Sequence, residues 1–255
     1  MTEPLATTED LFLGGQLRLR QPKKGHRSDH DAMLLAAATA AQAGERVVEL
    51  GAGAGAAGLA LARRVGQIEL RLVEIDPQLA ALARDNAAAN GIAVDIVVLD
   101  ATASAEAFAR CGLKPDSADV VLMNPPFNDA MRHRPSTDAA RACAHVAETE
   151  TLDGWIHAGR RLLKSGGRLT LIWRADALPE VLAALGRGFG SLAILPVHAG
   201  AAKPAIRILI RAVKGGRAPT RLLAGLMLND ASGQPNEEVA NILAGGGVLP
   251  LAMIC

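Results

Sequence analysis

Arg46-Val47-Val48-Glu49-Leu50-Gly51-Ala52-Gly53-Ala54-Gly55 is a short apolar run that ends in three alternating glycines. The run reads as a buried strand, and the alanine-rich stretch Ala56–Arg64, with Leu59 and Leu61 among small residues, reads as the helix that follows it. Glycines at such a junction let the chain turn tightly and let a ligand approach the backbone at a helix N-terminus.

The same alternation continues outward from this unit. Leu70–Ile75 is a second strand, and Pro77 suits the first turn of a helix that runs to about Asn90 and ends at Gly91. Asp95–Leu99 and Ala118–Met123 read as strands, with a helix expected at Thr102–Phe108 between them. Leu152–Leu163 is amphipathic and is expected to stop at Ser165-Gly166-Gly167, ahead of a strand at Arg168–Trp173. Ala177–Leu185 looks helical, and Leu192–Val197 and Ala205–Val213 look like two closing strands. The pattern predicts an α/β, Rossmann-like fold: a mostly parallel seven-stranded sheet with helices on both faces. With half of its 255 residues apolar, the chain can bury one large core. A single domain over 1–255 is expected, with an N-terminal cover at 1–42, a core at 43–213 and a C-terminal extension at 214–255.

Ligands of such sheets bind at the carboxyl ends of the strands, where Gly51, Glu74, Asp100 and Asn124 all fall. Glu74, about 20 residues beyond the glycines, suits both hydroxyls of a ribose, a role shared by nicotinamide and S-adenosylmethionine sites. As a purely structural residue it would be a helix N-terminal charge beside Pro77. Asp100 suits the amino group of an adenine, or else caps the helix after it.

Asn124-Pro125-Pro126-Phe127, at the end of Val120-Val121-Leu122-Met123, adds chemistry to that edge. An exocyclic amino nitrogen is a poor nucleophile because its lone pair is delocalised into the ring or amide. A carboxamide oxygen and a neighbouring backbone carbonyl give its NH2 group two acceptors, which favours a tetrahedral nitrogen with an outward lone pair. The two prolines fix the backbone that aims those acceptors, and Phe127 offers a flat face for a base. The tetrapeptide points to methyl transfer onto a planar nitrogen. A loop whose prolines only terminate a strand is the plain alternative.

The order of these motifs resembles the class I S-adenosylmethionine methyltransferases, in their amino-methylating branch. Leu13-Gly14-Gly15-Gln16-Leu17-Arg18, Gln21-Pro22-Lys23-Lys24-Gly25-His26-Arg27 and Asp31-Ala32-Met33-Leu34-Leu35-Ala36 look like the N-terminal region of the bacterial tRNA1(Val) adenine-N6-methyltransferase family. Lys203-Pro204-Ala205-Ile206-Arg207-Ile208-Leu209-Ile210 and Leu226–Leu243 are similar to that family's ending. The resemblance implies S-adenosyl-L-methionine as cofactor and a tRNA adenine as target. Its candidate cofactor contacts are Glu49, Gly51, Gly53, Gly55, Glu74, Asp100 and Asn124, with Arg27 and Asp31 in a cover; Asn124, Pro125, Pro126 and Phe127 are the candidate catalytic residues. Asp31 equally suits a cap for a helix at Ala32–Ala41. Phe127 stands where tyrosine is common in adenine methylation, and phenylalanine is familiar among ribosomal RNA guanine-N2 enzymes. That acceptor therefore stays open, as does a release-factor glutamine. A nicotinamide oxidoreductase would leave the tetrapeptide idle, and a non-enzymatic RNA-binding module has no use for the strand tips.

The net charge is +1, yet the cations are segregated. Residues 11–28 hold Arg18, Arg20, Lys23, Lys24 and Arg27 without an acid, and Val181–Asn229 holds bases from Arg187 to Arg221 and no Asp or Glu. Arg132, His133, Arg134, Arg141 and His145 follow the tetrapeptide and suit a loop that meets RNA phosphate. Trp155 and Trp173 read as core. Cys111, Cys143 and Cys255 lack metal-ligand or paired spacing. With no signal pattern and no run of about 20 apolar residues, a cytoplasmic protein independent of membrane and metal is expected.

Overall fold

A computed structural model describes residues 5–23, 30–126 and 151–253. The apolar runs form the sheet. Its seven long strands are β3 (Arg46–Leu50), β4 (Glu69–Glu74), β5 (Asp95–Val98), β6 (Ala118–Met123), β7 (Leu163–Arg174), β8 (Phe189–His198) and β9 (Ala205–Lys214). Their order is β5-β4-β3-β6-β7-β9-β8, parallel except where β9 runs against β7 and β8. Two-residue strands β10 (Arg221–Leu222) and β11 (Leu226–Met227) extend the far edge by pairing with β8.

Side chains alternate between two cores. Val120 and Leu122 enter one apolar cluster, and Val121 and Met123 enter the other, all 0% exposed. Such double burial is why the parallel strands read as unbroken apolar runs rather than alternating ones. The first face is covered by α1 (His30–Ala38), α2 (Ala56–Val65), α3 (Pro77–Ala89) and α7 (Glu237–Leu243), and residues from each join the first cluster or its margin. The second face is covered by α4 (Ala105–Arg110), α5 (151–162) and α6 (Leu178–Leu185), through Phe108, Leu152, Ile156, Val181 and Leu185 among others. Leu249 donates to the Ala37 carbonyl at 3.0 Å, and Leu249 and Leu251 are fully buried, so the C-terminal stretch completes the first core. Among the described residues no helix is long and apolar enough to cross a membrane.

Several expectations need correction. The chain enters β7 at Leu163, directly after α5, so Ser165-Gly166-Gly167 lies within the strand and does not precede it. There the register shifts between Ala118 and Val120, and a Cβ on Gly167 would lie 2.9 Å from the Lys164 carbonyl and 3.2 Å from that of Asp119. Residues 164–167 therefore bulge between the paired positions Leu163 and Arg168, with Gly166 at φ +75 and Gly167 folded back on the Lys164 carbonyl. The helix expected at Thr102–Phe108 begins at Ala105, because Ser104 is its cap. The described residues of the N-terminal basic block lie on a hairpin of β1 (Thr7–Phe12) and β2 (Leu17–Pro22). The carboxamides of Asn90 and Asn86 each bond the N–H and C=O of Arg18 and Arg20 along one edge of β2, and Asn86 also donates to the Ala54 carbonyl at 2.9 Å.

Asp119 is the one acid inside the β6 run. Its carboxylate accepts from the backbone N–H of Arg46 at 2.8 Å, from the guanidinium of Arg46 at 3.1 Å and from the Lys164 ammonium, which joins three adjacent strands at their starts. Burial pushes its pKa up, but Lys164 and Arg46 outweigh burial and hold it at about 2. A folded pKa below the ordinary 3.8 contributes stability that is present above about 4 and lost as the pH falls through about 2. Asp119→Asn should cost about 2 kcal/mol at neutral pH. Urea titrations of both proteins should show this gap closing on acidification from about 4 to about 2.

Candidate active site

A cleft of about 430 Å3 lies at the carboxyl edge of the parallel strands. Gly51, Gly53, Glu74, Asp100 and Asn124 all line it, so four strand tips spread over the sequence do meet. Parallel pairing aligns these tips: Leu50 sits beside Val73 on one side and Met123 on the other, and Glu74 sits beside Val98.

The glycine turn is held by its neighbour strand. Gly51 and Ala52 both donate to the Val73 carbonyl, at 2.8 and 3.0 Å, and Gly53 donates to Glu74 Oε2 at 2.7 Å. Glu74 Oε1 accepts from the Asp76 N–H at 2.9 Å. The carboxylate is 6% exposed, and each of its oxygens retains acceptor capacity for a hydroxyl, the pairing that a ribose needs. The helix after it is capped by Asp76, whose side chain accepts from Gln78 and Leu79, so Glu74 is not the cap. Asp100 Oδ1 accepts from both the N–H and the hydroxyl of Thr102, at 2.7 and 2.8 Å, and Oδ2 has no partner among the described residues. It shapes a turn four residues ahead of the α4 cap, Ser104, instead of capping the helix.

The three glycines differ in role. All have positive φ, but a Cβ on Gly53 (φ +55) would meet nothing within 4 Å, and one on Gly51 (φ +69) would lie 2.1 Å from Trp155 Cη2. Gly51 therefore admits the indole, and Gly53 leaves its backbone open to the cleft. Gly55 (φ +89) faces Leu59, Leu72 and Ala83 and is absent from the cleft lining. Its role is packing at the start of α2.

Asn124 Oδ1 is buried and has no hydrogen-bond partner among the described residues. Pro125 beside it is buried, and Pro126 is exposed and lines the cleft. Phe127, Arg27 and the basic stretch after the tetrapeptide lie outside the described residues. Asp31, in the first turn of α1, is not in the cleft; its carboxylate accepts from Arg207 Nε at 2.8 Å. Glu49 is also absent from the lining. Its side chain turns behind the glycines and accepts from the Gly58 N–H at 2.7 Å. Burial, reinforced by nearby Glu74 and only partly opposed by Gly58, pushes its pKa up to about 8.

Ile75, Leu79, Leu99 and Trp155 form an apolar wall that the sequence did not single out. Ile75 is 62% exposed, and an apolar residue directly after an acidic strand tip was the available signal. Trp155 is buried as expected for core, yet it also borders the cleft. A carboxylate for vicinal hydroxyls, an apolar wall for an adenine, an open glycine backbone and an orphaned amide oxygen together fit S-adenosylmethionine and an amino acceptor.

Residues 25–200 match the model of the family described as methyltransferase small domain. The tRNA1(Val) (adenine(37)-N6)-methyltransferase of Porphyromonas gingivalis is 31% identical over 68% of this chain and 68% of its own. The protein of the same name from Dickeya chrysanthemi is 29% identical over 76% of this chain and 75% of its own. A solved structure described as a predicted O-methyltransferase from Agrobacterium tumefaciens is 32% identical, with a TM-score of 0.71, covering 86% of this chain and 98% of that one.

Gly53→Ala and Gly55→Ala should fail differently. Both introduce left-handed strain of about 1 kcal/mol. Gly53→Ala should lose mainly cofactor affinity by calorimetry, and Gly55→Ala should lose more stability in urea, because its Cβ would meet the Leu59 side chain at 3.1 Å. Glu49→Gln keeps an acceptor for Gly58. A folded pKa raised from 4.5 to about 8 gives stability that is full below about 4.5 and lost as the pH rises through about 8. The variant should therefore gain on the wild type across that interval in urea titrations at stepped pH.

Proposed function

Because the chain belongs to the methyltransferase small domain family, we propose that its acceptor is the exocyclic N6 amino group of an adenine in tRNA. The chain is an S-adenosylmethionine-dependent methyltransferase. The finer assignment rests on the orphaned Asn124 Oδ1 and is supported by the names of the Porphyromonas and Dickeya relatives.

A buried acceptor without a donor costs about 1–3 kcal/mol, and an incoming N–H removes that cost only where it lies against Asn124. Binding and alignment are thereby coupled. The backbone carbonyl beside the two prolines supplies the second acceptor, and together they hold the amino group with its lone pair toward the cofactor side of the cleft. Glu74 holds the ribose, and Asp100 Oδ2 accepts from the cofactor's adenine amino group. Gly51 and Gly53 admit the amino-acid end, and Ile75 and Leu99 bracket the ring. S-adenosylmethionine supplies an electrophilic methyl group when bound. Phe127 stacks on the target base, and the extra proton on the methylated nitrogen passes to water. The base must leave its stack to reach Asn124, at a cost of a few kcal/mol that is smaller in an unpaired loop.

Unmodified tRNA from a matched host lacking this protein, incubated with the enzyme and labelled cofactor and then digested for nucleoside mass spectrometry, should yield N6-methyladenosine. N2-methylguanosine or a 2′-O-methyl nucleoside would replace the adenine assignment. Asn124→Ala should lower turnover by about a hundredfold, as removal of a positioned catalytic partner does elsewhere, and leave cofactor affinity nearly unchanged. Equal losses in both would contradict its role as acceptor.

A further inference from the structure

Among the described residues, several cations of the two basic tracts are already engaged. Arg20 pairs with Asp85 and Arg18 with Glu9, Arg207 holds Asp31, and Arg211 is 7% exposed with its guanidinium on the Leu251 and Met253 carbonyls. The unmatched charge lies elsewhere. An open groove of about 510 Å3, lined by His157, Arg160, Arg161, Lys214, Asp116 and Ser165 among others, runs along the far end of α5. Its only acid among the described lining residues is Asp116, which is taken up by Lys214 Nζ at 2.7 Å.

Arg160 is the distinctive member. Its Nη1 donates to the Arg187 carbonyl at 2.8 Å, and the side chain lies over Gly188, where a Cβ would meet Nη1 at 2.9 Å and Cδ at 3.0 Å. Its Nη2 stands 3.5 Å from His157 Nδ1. A guanidinium has five N–H donors, so three stay open, and no carboxylate pairs with Arg160 among the described residues. With His157 Nδ1 as acceptor, its Nε2 carries the proton and adds a donor. A side chain seated by backbone yet left without a counter-charge is preorganised for an anion, because little ordering entropy is lost on binding.

The groove and the cleft share one helix. Thr151 and Trp155 border the cleft and Arg160 borders the groove; at the helical rise Arg160 lies about 14 Å from Thr151 and about 8 Å from Trp155 along α5. We propose that the Arg160 groove docks the phosphate backbone of the RNA whose base enters the cleft. This rests on the RNA reading above. Phosphate contacts of this kind fix register and carry no sequence information, so the groove orients the substrate and leaves base choice to Asn124 and its neighbours.

The test measures binding of unmodified tRNA by the full-length protein as a function of salt, with methyl transfer to the same RNA in parallel. Arg160→Gln should reduce the slope of log affinity against log salt by about 1 and weaken every tRNA alike, with cofactor affinity unchanged. Arg160→Lys should retain most of the slope, since it keeps the charge. Arg84→Gln, exposed on α3 across the sheet, is the control and should leave the slope intact. An unaltered slope in Arg160→Gln, or an equal loss in Arg84→Gln, overturns the groove while leaving a wild type that methylates RNA as it was. A wild type that transfers no methyl group to RNA removes the premise and the proposal with it.

Discussion

The position of the cleft depends on the carboxylate of Glu74. One oxygen takes the Gly53 N–H and the other the Asp76 N–H, and the Glu74 backbone carbonyl accepts from Leu99 at 3.0 Å. One residue therefore joins the glycine turn, the start of α3 and the tip of β5. A carboxylate only 6% exposed tolerates burial because donors meet it, and the donors in turn are backbone groups that the turn would otherwise orphan. The carboxylate is thus aimed by the frame that it stabilises.

Charge around that point is apportioned by depth. Glu49 lies behind the glycines with its pKa pushed to about 8, so at neutral pH it bears a proton and adds no second negative charge beside Glu74. Glu74 and the half-free Asp100 remain on the cleft side. Glu49 supports the α2 backbone through Gly58, and Glu74 borders the cleft. Two carboxylates from neighbouring strand ends thereby take different surroundings, Glu49 behind the glycines on the Gly58 N–H and Glu74 at the cleft on the Gly53 and Asp76 N–H groups.

The fold was legible wherever a segment's environment is uniform. Every residue of Ala118–Met123 is at most 6% exposed, and an apolar run of that kind has few alternatives to a central parallel strand. The strand tips were legible because parallel topology sends all of them to one edge. What the sequence hid depends on partners far along the chain. Asp31 suits a ligand or a cap by sequence, and the Arg207 with which it pairs lies 176 residues away. Ser165-Gly166-Gly167 has the composition of a turn, and only the register of β6 against β7 shows why glycine is needed there. The basic tracts follow the same rule: a cation's availability depends on the acids and carbonyls that fold against it. Trp155 is both core and cleft wall, a duality that helical periodicity alone cannot separate.

The hairpin clamp has a bearing on solubility. Alternate residues of β2 direct their N–H and C=O groups out of one edge, which is the template on which another chain would add a strand. Here the carboxamides of Asn86 and Asn90 stand in for that strand, each answering one donor and one acceptor. The ladder is closed by the side chains of Asn86, within α3, and Asn90, at its C-cap, so edge-to-edge self-association is blocked along that stretch of β2.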